Sequence, residues 1–416
     1  MNPIEDLRLR VRAEFPSLAV ASDLLLDNAG GSQVPTSVGR RIADYFLQNY
    51  VQLGADYATS RAASAVVDDA RSFALDLFGG RGLGQAILGA STSSLVAMLA
   101  ECHGRAKHED RDEIVISDGG HESNIGPWRR LEAHGYRIRW WRTREDGTCR
   151  LEDLQALLSP RTRVLAVHHV SNLLGRVEDV ASWVDAAHGV GARVIVDGVA
   201  FAPHRAIDVA DLGCDYYVFS LYKVYGPHMA ALFGRDEALA ELVGPNHDFI
   251  PDDAVPYKFE LGGVSHEACA GLLGVRDYLA WLATDARAPL APTTSLERRD
   301  IEAAFERMQD LEAPLTERML EWLGQRPELR VLGPATAEAS RVGTISFVTE
   351  QATSRAIALR ANAARIGIRY GHFYAVRLAR ALGLDPSDGV VRTSFVHYSS
   401  LDEIDALLEH WERHLA

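Results

Sequence analysis

The sequence is poor in cysteine and lacks long apolar or basic runs, and each of these deficits excludes a class of protein. Its four cysteines are scattered and form no Cys-x-x-Cys pair, which argues against a zinc knuckle or a dithiol motif. No apolar run reaches the roughly 18 residues that a membrane span needs. No long run of lysine and arginine marks a site for nucleic acid or an anionic membrane. We therefore expect no metal, nucleic-acid or membrane partner.

The overall composition is that of a globular protein of enzyme size. The chain has 416 residues, of which 47% are hydrophobic and 24% charged, and its net charge is −14. Residues 1–16 are charged and lack the apolar segment of an export signal. Because few cysteines and no export signal are typical of a reducing compartment, we expect a cytoplasmic location.

Short apolar segments alternate with helical segments through the first half of the chain. The pattern predicts strands at 85–88, 113–117, 137–141, 163–168, 193–196, 216–219 and 230–233. Such alternation, with strands rich in valine and isoleucine, is typical of an α/β fold whose mainly parallel sheet is covered by helices. Ligands of these sheets bind beyond the carboxyl ends of the strands.

Composition and pattern also suggest how the chain divides into domains. We expect an N-terminal segment, 1–20, that joins a small C-terminal domain, and a large ligand-binding domain at 21–290. Residues 291–416 would form a linking helix and a small α+β domain. The linking helix is predicted at 296–324, and Pro314 is expected to kink or break it.

Lys223 is the most informative single residue. It lies in a turn that follows the apolar strand at 216–219 and precedes Gly226 and Pro227. Its neighbours are Leu221, Tyr222, Val224 and Tyr225, and partial desolvation there would lower the pKa of the amine, as an amine nucleophile requires. The ordinary alternative is a loop lysine whose amine reaches water.

A small-residue turn at 89–94 opens a predicted helix and contains Ser91, Thr92 and Ser93. Backbone N–H groups and hydroxyls at a helix N-terminus form an anion site, although a Ser/Thr helix cap is the simpler explanation. Ser220, three residues before Lys223, could add a contact to a phosphate.

Three further polar residues follow or end predicted strands. His121 could stack on a planar ring or transfer a proton, or could be a hydrogen-bonded turn histidine. Asn172 could donate to a phenolic oxygen, or could simply form a turn. Asp197 ends an apolar strand, where a carboxylate is costly to bury unless it meets a cation such as a protonated pyridine nitrogen. A helix cap or an ordinary ion pair is the alternative.

Pyridoxal phosphate (PLP) requires all these parts together: a phosphate cradle, a stacking ring, a carboxylate for the pyridine nitrogen and a lysine.

The ordered motifs resemble the class V aminotransferase family, and in particular its group II cysteine desulfurases and selenocysteine lyases. The similar segments are 121–128, 169–175, 196–200, 220–227, 369–372 and 391–395. The resemblance implies PLP fold type I, with a mainly parallel seven-stranded sheet and a small α+β domain. It also implies a homodimer with active sites at the interface, in which Lys223 forms a Schiff base with PLP.

The resemblance further implies that Arg392 binds the substrate α-carboxylate through a bidentate fork. The remaining substrate contacts are expected at Ala29, Gly30, Asn172, Arg369, His372 and Tyr374.

The chain departs from the desulfurase pattern at several positions. Tyr374 stands where the desulfurases carry the cysteine that accepts sulfur, and Ala200 replaces a cofactor-contacting glutamine. Tyr222 replaces a histidine and could supply a phosphate hydroxyl. Ser265 could substitute for the hydroxyl of a loop that crosses the dimer interface to the phosphate.

These departures favour a PLP-dependent lyase that acts on an amino acid by β-elimination, at a C–S, C–Se or related bond, without a persulfide. An aminotransferase or an amino-acid epimerase is the first alternative. A desulfurase-like protein with another mode of sulfur release and a non-catalytic PLP-binding protein are the others.

Overall fold

A computed structural model of the chain describes residues 3–106, 110–284, 287 and 296–415. The strands are β1 (Leu24–Leu25), β2 (Gly84–Gly89), β3 (Glu113–Ser117), β4 (Arg137–Trp141), β5 (Thr162–His168), β6 (Arg193–Asp197), β7 (Tyr216–Ser220), β8 (Ala230–Arg235), β9 (Arg330–Leu332), β10 (Thr344–Val348), β11 (Ile366–Gly367), β12 (Arg369–Gly371) and β13 (Val390–Ser394).

The helices that cover and connect these strands are α1 (Pro3–Ala13), α2 (Ser17–Val20), α3 (Thr36–Gln48), α4 (Ala58–Phe78), α5 (Thr92–Arg105), α6 (Gly126–Arg129), α7 (Leu151–Gln155), α8 (Val180–His188), α9 (Val209–Leu212), α10 (Asp236–Ala240), α11 (His266–Ala283), α12 (Arg298–Gly324), α13 (Ser354–Ala363), α14 (Val376–Ala381) and α15 (Leu401–Leu415). Within the described part of the chain, no helix is both long enough and apolar enough to cross a membrane.

The centre of the molecule is a sheet to which the described residues contribute seven strands, in the order β2-β8-β7-β6-β5-β3-β4. The strands from β7 to β4 pair in parallel, whereas β8 is antiparallel to both β7 and β2. Strands β3, β5 and β7 are buried along their whole length, because helices cover both faces of the sheet. The predicted α/β class and the mainly parallel seven-stranded sheet are confirmed.

The parallel strands bring three polar residues to one edge of the sheet. His168 ends β5 and lies directly opposite Asp197, which ends β6, and Asp197 lies opposite Val218 of β7. Ser220 ends β7 at the same edge, and the N-terminus of α5 follows β2 there. This edge is where a ligand of a parallel sheet binds.

Two helices differ from what the sequence predicts. The sequence also predicts a helix at 124–134, but the structure has two short 3-10 turns on either side of α6, because Pro127 has no N–H to donate to a continuous helix. By contrast, α12 is one continuous helix through Pro314, so the expected break does not occur there. Its apolar residues on both sides of Pro314, such as Leu311 and Leu315, are fully buried, and this packing holds the helix together.

Helix α11 was not predicted, although it is central to the core. It packs against α3 and α4. Most of its residues are buried, so it lacks the polar face that makes a surface helix recognisable from its sequence.

In the C-terminal part, β12, β13, β10 and β9 form an antiparallel sheet with its own apolar core. The N-terminal segment contacts this part, because Arg8 on α1 donates to the carbonyl of Ser399. Strand β1, which follows that segment, pairs in parallel with β11. The division into three segments stays a prediction, and the expected boundary at 290–291 lies outside the described residues.

Candidate active site

A cavity of about 90 Å³ lies at the carboxyl edge of the central sheet. Its walls come from α5, from the ends of β5, β6 and β7, and from the turns that follow them. The lining residues are Ser91, Thr92, Ser93, His121, Ser123, His168, Val170, Asn172, Asp197, Val199, Ala200, Ser220, Tyr222 and Lys223. Nine of the residues predicted from the sequence to bind a cofactor therefore line this one cavity.

Lys223 ends a 3-10 turn that begins directly after β7. The turn is fixed because the N–H groups of Val224 and Gly226 both donate to the carbonyl of the buried Leu221. Burial lowers the pKa of the Lys223 amine to about 8, and the charge of Arg392 acts in the same direction, while Asp197 and Asp27 oppose it. The predicted lowering of this pKa is confirmed.

The N-terminus of α5 forms one end of the cavity. Ser91 caps the helix, with its hydroxyl accepting from the N–H of Ser94, while the Ser94 hydroxyl accepts from the N–H of Ser91. The hydroxyls of Thr92 and Ser220 are 2.8 Å apart. The capping role considered for Ser91 is therefore real, and it coexists with a concentration of hydroxyls and N–H groups suited to an anion.

Asp197 is buried at the end of β6, beneath the cavity. Its Oδ1 accepts a hydrogen bond from the N–H of Val199 at 3.0 Å. Burial raises the pKa of this carboxyl, and Val199, Lys223 and His168 act in the opposite direction. A carboxylate in this environment is stabilised by a cationic ligand group such as a pyridinium N–H.

The ring of His121 is neutral. Its Nδ1 accepts from the N–H of Ser123 at 3.1 Å and lies 2.8 Å from the Ser123 hydroxyl. Burial lowers the pKa of His121 to about 4, with further contributions from Lys223 and Arg392. The ring of Tyr374 lies 5.1 Å from the His121 ring, at an interplanar angle of 42°.

Asn172 links three parts of the site. Its side-chain amide donates to the carbonyl of Phe373 at 2.8 Å, and its backbone carbonyl accepts from Nη1 of Arg392 at 3.1 Å. The residue lines the cavity, as expected for a contact to a phenolic oxygen. Its amide also has a second N–H, which could serve that contact.

Arg392 lies on β13 and is 2% exposed. Its Nη2 donates to Oδ1 of Asp27 at 3.1 Å, and its guanidinium lies 3.7 Å from the centre of the Phe373 ring. Burial lowers its pKa to about 10, against the effect of Asp27. Arg392 influences the pKa of both Lys223 and His121, so it lies within electrostatic range of the cavity.

The other predicted substrate residues do not line the cavity, and Ala29, Gly30 and Arg369 lie near Arg392 and its partner Asp27. The N–H of Ala29 donates to the Ser394 hydroxyl, and Gly30 packs against Asp27. Arg369 is largely exposed and lies 3.5 Å from Asp27, while Nδ1 of His372 accepts from the N–H of Tyr374.

Ser265 lies outside this cavity, where its hydroxyl caps α11. Its expected role concerns the partner subunit and stays a prediction.

Several residues of the site were missed by sequence reasoning. His168 has the same strand-end position as Asp197, and that position could have identified it. Ser123 is two residues from His121. Asp27 and Phe373 carried no such signal, because their contacts to Arg392 depend on the three-dimensional packing of separate segments.

The residues present fit PLP. A helix N-terminus surrounded by hydroxyls suits its phosphate, the buried carboxylate of Asp197 suits its pyridine nitrogen, and the amine of Lys223 suits its aldehyde. The neutral ring of His121 lies on the same cavity wall and is suited to stacking.

Comparisons with known proteins agree with this assignment. The family model for class-V aminotransferases matches residues 24–407. The aminotransferase-like protein FGM3 of Gibberella zeae is 36% identical over 409 residues, covering 96% of each chain. A cysteine desulfurase of Pectobacterium atrosepticum is 31% identical over 430 residues, covering 99% of this chain and 98% of that protein. The apo structure of a cysteine desulfurase from Thermococcus onnurineus superposes with a TM-score of 0.84 at 24% identity, covering 97% of this chain and 96% of the other.

Proposed function

Because this chain belongs to the class-V aminotransferase family, we propose that it is a lyase that acts on an α-amino acid without a cysteine persulfide. Dependence on PLP and enzymatic activity follow from membership of the family. The type of reaction and the roles of individual residues are the proposal. The observation that carries it is the contact between Tyr374 and the cavity-lining His121.

A phenol at this position cannot accept a sulfur atom as a thiolate does. None of the described residues that line the cavity is a cysteine. Burial raises the pKa of Cys102 and Cys269 to about 12 and that of Cys149 to about 11, and it raises the pKa of Cys214 as well. All four thiols therefore stay protonated near neutral pH, which supports a reaction that does not use them.

PLP, when bound, withdraws electrons from the substrate α-carbon and so makes its proton removable. In the proposed roles, Asp197 keeps the pyridine nitrogen protonated, and the hydroxyls of Thr92 and Ser220 hold the phosphate together with Ser91, Ser93 and Tyr222. The ring of His121 stacks on the cofactor. Arg392 binds the α-carboxylate.

Lys223 has two roles in this proposal. Its Nζ binds the cofactor before the substrate arrives, and afterwards it moves the proton at the substrate α-carbon. A pKa of about 8 suits both roles, because a substantial fraction of the amine is neutral near physiological pH. Tyr374, which is 65% exposed at the edge of the site, would contact the part of the substrate that leaves.

An aminotransferase is the second candidate, because the relative with 36% identity is named aminotransferase-like. A panel of L-amino acids added to the holoenzyme separates the candidates. A lyase releases a keto acid and ammonia over many turnovers, an aminotransferase converts its cofactor to the pyridoxamine form, and an epimerase removes optical activity. Conversion to pyridoxamine without release of ammonia would overturn the lyase proposal.

Two exposed surfaces support the proposed homodimer. Leu47, beside the exposed Phe46 and Tyr50, is 82% exposed on α3, and Phe249 is 79% exposed in the segment that leads to Leu261. Large exposed apolar side chains of this kind are typical of protein interfaces. Measurement of the molar mass by light scattering tests whether the protein is a dimer. A cytoplasmic location is also part of the proposal.

A further inference from the structure

The carboxylate of Asp27 lies between two guanidinium groups at the edge of the site. Its Oδ1 accepts from Nη2 of Arg392 at 3.1 Å, and its Oδ2 lies 3.5 Å from Nη1 of Arg369. Asp27 also acts on the pKa of Lys223, which brings it within electrostatic range of the amine. An acidic side chain at this position competes with any substrate carboxylate, so its presence needs a physical explanation.

The position of this carboxylate is built into the backbone. A Cβ atom added at Gly30 would lie 2.5 Å from Oδ2 of Asp27, so a residue larger than glycine would displace the carboxylate. On the other side, Asp27 forms a β-bridge to Ser394, two residues after Arg392 on the same segment. Glycine at position 30 therefore makes room for Asp27, which explains the residue without a direct substrate contact.

The surroundings of Arg392 show what Asp27 does there. A buried guanidinium is costly unless it is paired. Nη1 and Nη2 donate to Asn172 and Asp27, and one face is covered by Phe373, whereas the buried Nε has no hydrogen-bond partner among the described residues. The hydrogen bonds at Nη1 and Nη2 fix the orientation of the guanidinium plane. The N–H group at Nε is left to bind a ligand.

We propose that Asp27 is a positioning residue for Arg392: its carboxylate, seated against Gly30, holds the guanidinium in the orientation that recognises the substrate α-carboxylate. The inference rests on the proposed function, because the α-carboxylate is the group that Arg392 binds in that function. On this inference, the selectivity for amino acids over simple amines depends on Asp27 and Arg392, which are 365 positions apart in the chain.

Three variants separate the position of the carboxylate from its charge. Asp27→Asn keeps an acceptor oxygen in place but removes the charge, whereas Gly30→Ala keeps the charge but displaces the group. Asp27→Ala removes both. Asp23→Asn, at an exposed residue four positions earlier, is the matched control.

Selectivity is measured on the holoenzyme from the change in cofactor absorbance with L-alanine against ethylamine, and with L-serine against ethanolamine. The wild type should favour the amino acids. Gly30→Ala and Asp27→Ala should lose at least about tenfold of that preference, taken as the ratio of the responses to the amino acid and to the amine, which is the loss expected for one charge-assisted hydrogen bond. Asp27→Asn and Asp23→Asn should keep it within about threefold. Wild-type preference in Gly30→Ala and Asp27→Ala would overturn the inference.

A holoenzyme that responds to no amino acid would overturn the proposed function, and the role of Asp27 is then tested with propionate, which has a carboxylate but no amine. Calorimetry should show binding to the wild type and at least about tenfold weaker binding to Gly30→Ala and Asp27→Ala. Equal affinities, or no binding of propionate to the wild type, would overturn the inference about Asp27.

Discussion

The hydroxyl oxygens of Thr92 and Ser220 lie 2.8 Å apart, although 128 residues separate them in the chain. One hydroxyl belongs to the N-terminus of α5 and the other to the end of β7. The contact joins the two elements that carry the proposed phosphate cradle. The turn that contains Lys223 begins directly after Ser220. Cofactor affinity should therefore depend on both hydroxyls.

Thr92→Val removes one hydroxyl while keeping the shape of the side chain. Loss of a hydrogen bond to a charged group costs about 1.5–3 kcal/mol, so the dissociation constant of PLP should rise by about 10- to 100-fold. This dissociation constant is measured by titrating the apoprotein with PLP while the absorbance is monitored. Thr92→Ser, which keeps the hydroxyl, should stay near the wild type, and an unchanged affinity in Thr92→Val would exclude the cradle.

The rate at which the apoprotein combines with PLP should follow the pKa of Lys223. The neutral amine is the reactive form, and it predominates above a pKa of about 8. The second-order rate constant should therefore rise with pH and level off about one unit above that pKa. Asp197 and Asp27 raise this pKa, so neutralising either carboxylate should move the midpoint to lower pH. A midpoint of this pH dependence near the pKa of a solvated lysine would contradict the burial of the Lys223 amine.

His121 should be neutral across the physiological pH range, because its pKa lies near 4. His121→Phe keeps an aromatic ring against the cofactor but removes the nitrogen atoms. If the ring only stacks, His121→Phe should keep both PLP affinity and turnover, while His121→Ala loses affinity. If Nε2 also transfers a proton, turnover of His121→Phe should fall by about 100-fold or more at unchanged affinity. Loss of PLP affinity in His121→Phe would argue against stacking.

Replacing the four cysteines tests the absence of persulfide chemistry. Because each thiol lies outside the cavity and has a raised pKa, the Cys149→Ala variant and the corresponding variants at the other three positions should retain turnover. The buried cysteines contribute to packing, so thermal stability is measured in parallel to separate unfolding from lost chemistry. Loss of turnover in a stable Cys→Ala variant would contradict the proposal.

Much of the fold follows from local patterns. The strands at 113–117 and 137–141 have the predicted bounds because runs of Val, Ile and Trp are bordered by turns. The antiparallel direction of β8 could not be predicted, since it depends on which strands lie beside it. Helix α11 was missed because it is apolar on nearly every side.

The candidate site divides in the same way. Lys223, Asp197 and the turn before α5 follow strand ends, so a parallel sheet places them together. The contact of Arg392 with Asp27 depends on how the C-terminal part packs against the segment that follows β1, and its contact with Phe373 depends on the position of the loop that follows β12. Residues 27 and 373 therefore gave no local signal, and only the three-dimensional structure identifies them.

The central claim is that PLP is bound through Lys223. The chain has three lysines, Lys107, Lys223 and Lys258, and Lys258 is buried, with its amine donating to the carbonyl of Leu242. Reduction of the holoenzyme with borohydride, followed by peptide mass spectrometry, reports which lysine carries the cofactor. We predict a single modified peptide that contains Lys223 and an absorbance band that is absent from Lys223→Ala. Modification at Lys107 or Lys258, or a wild type without any cofactor band, would contradict the account.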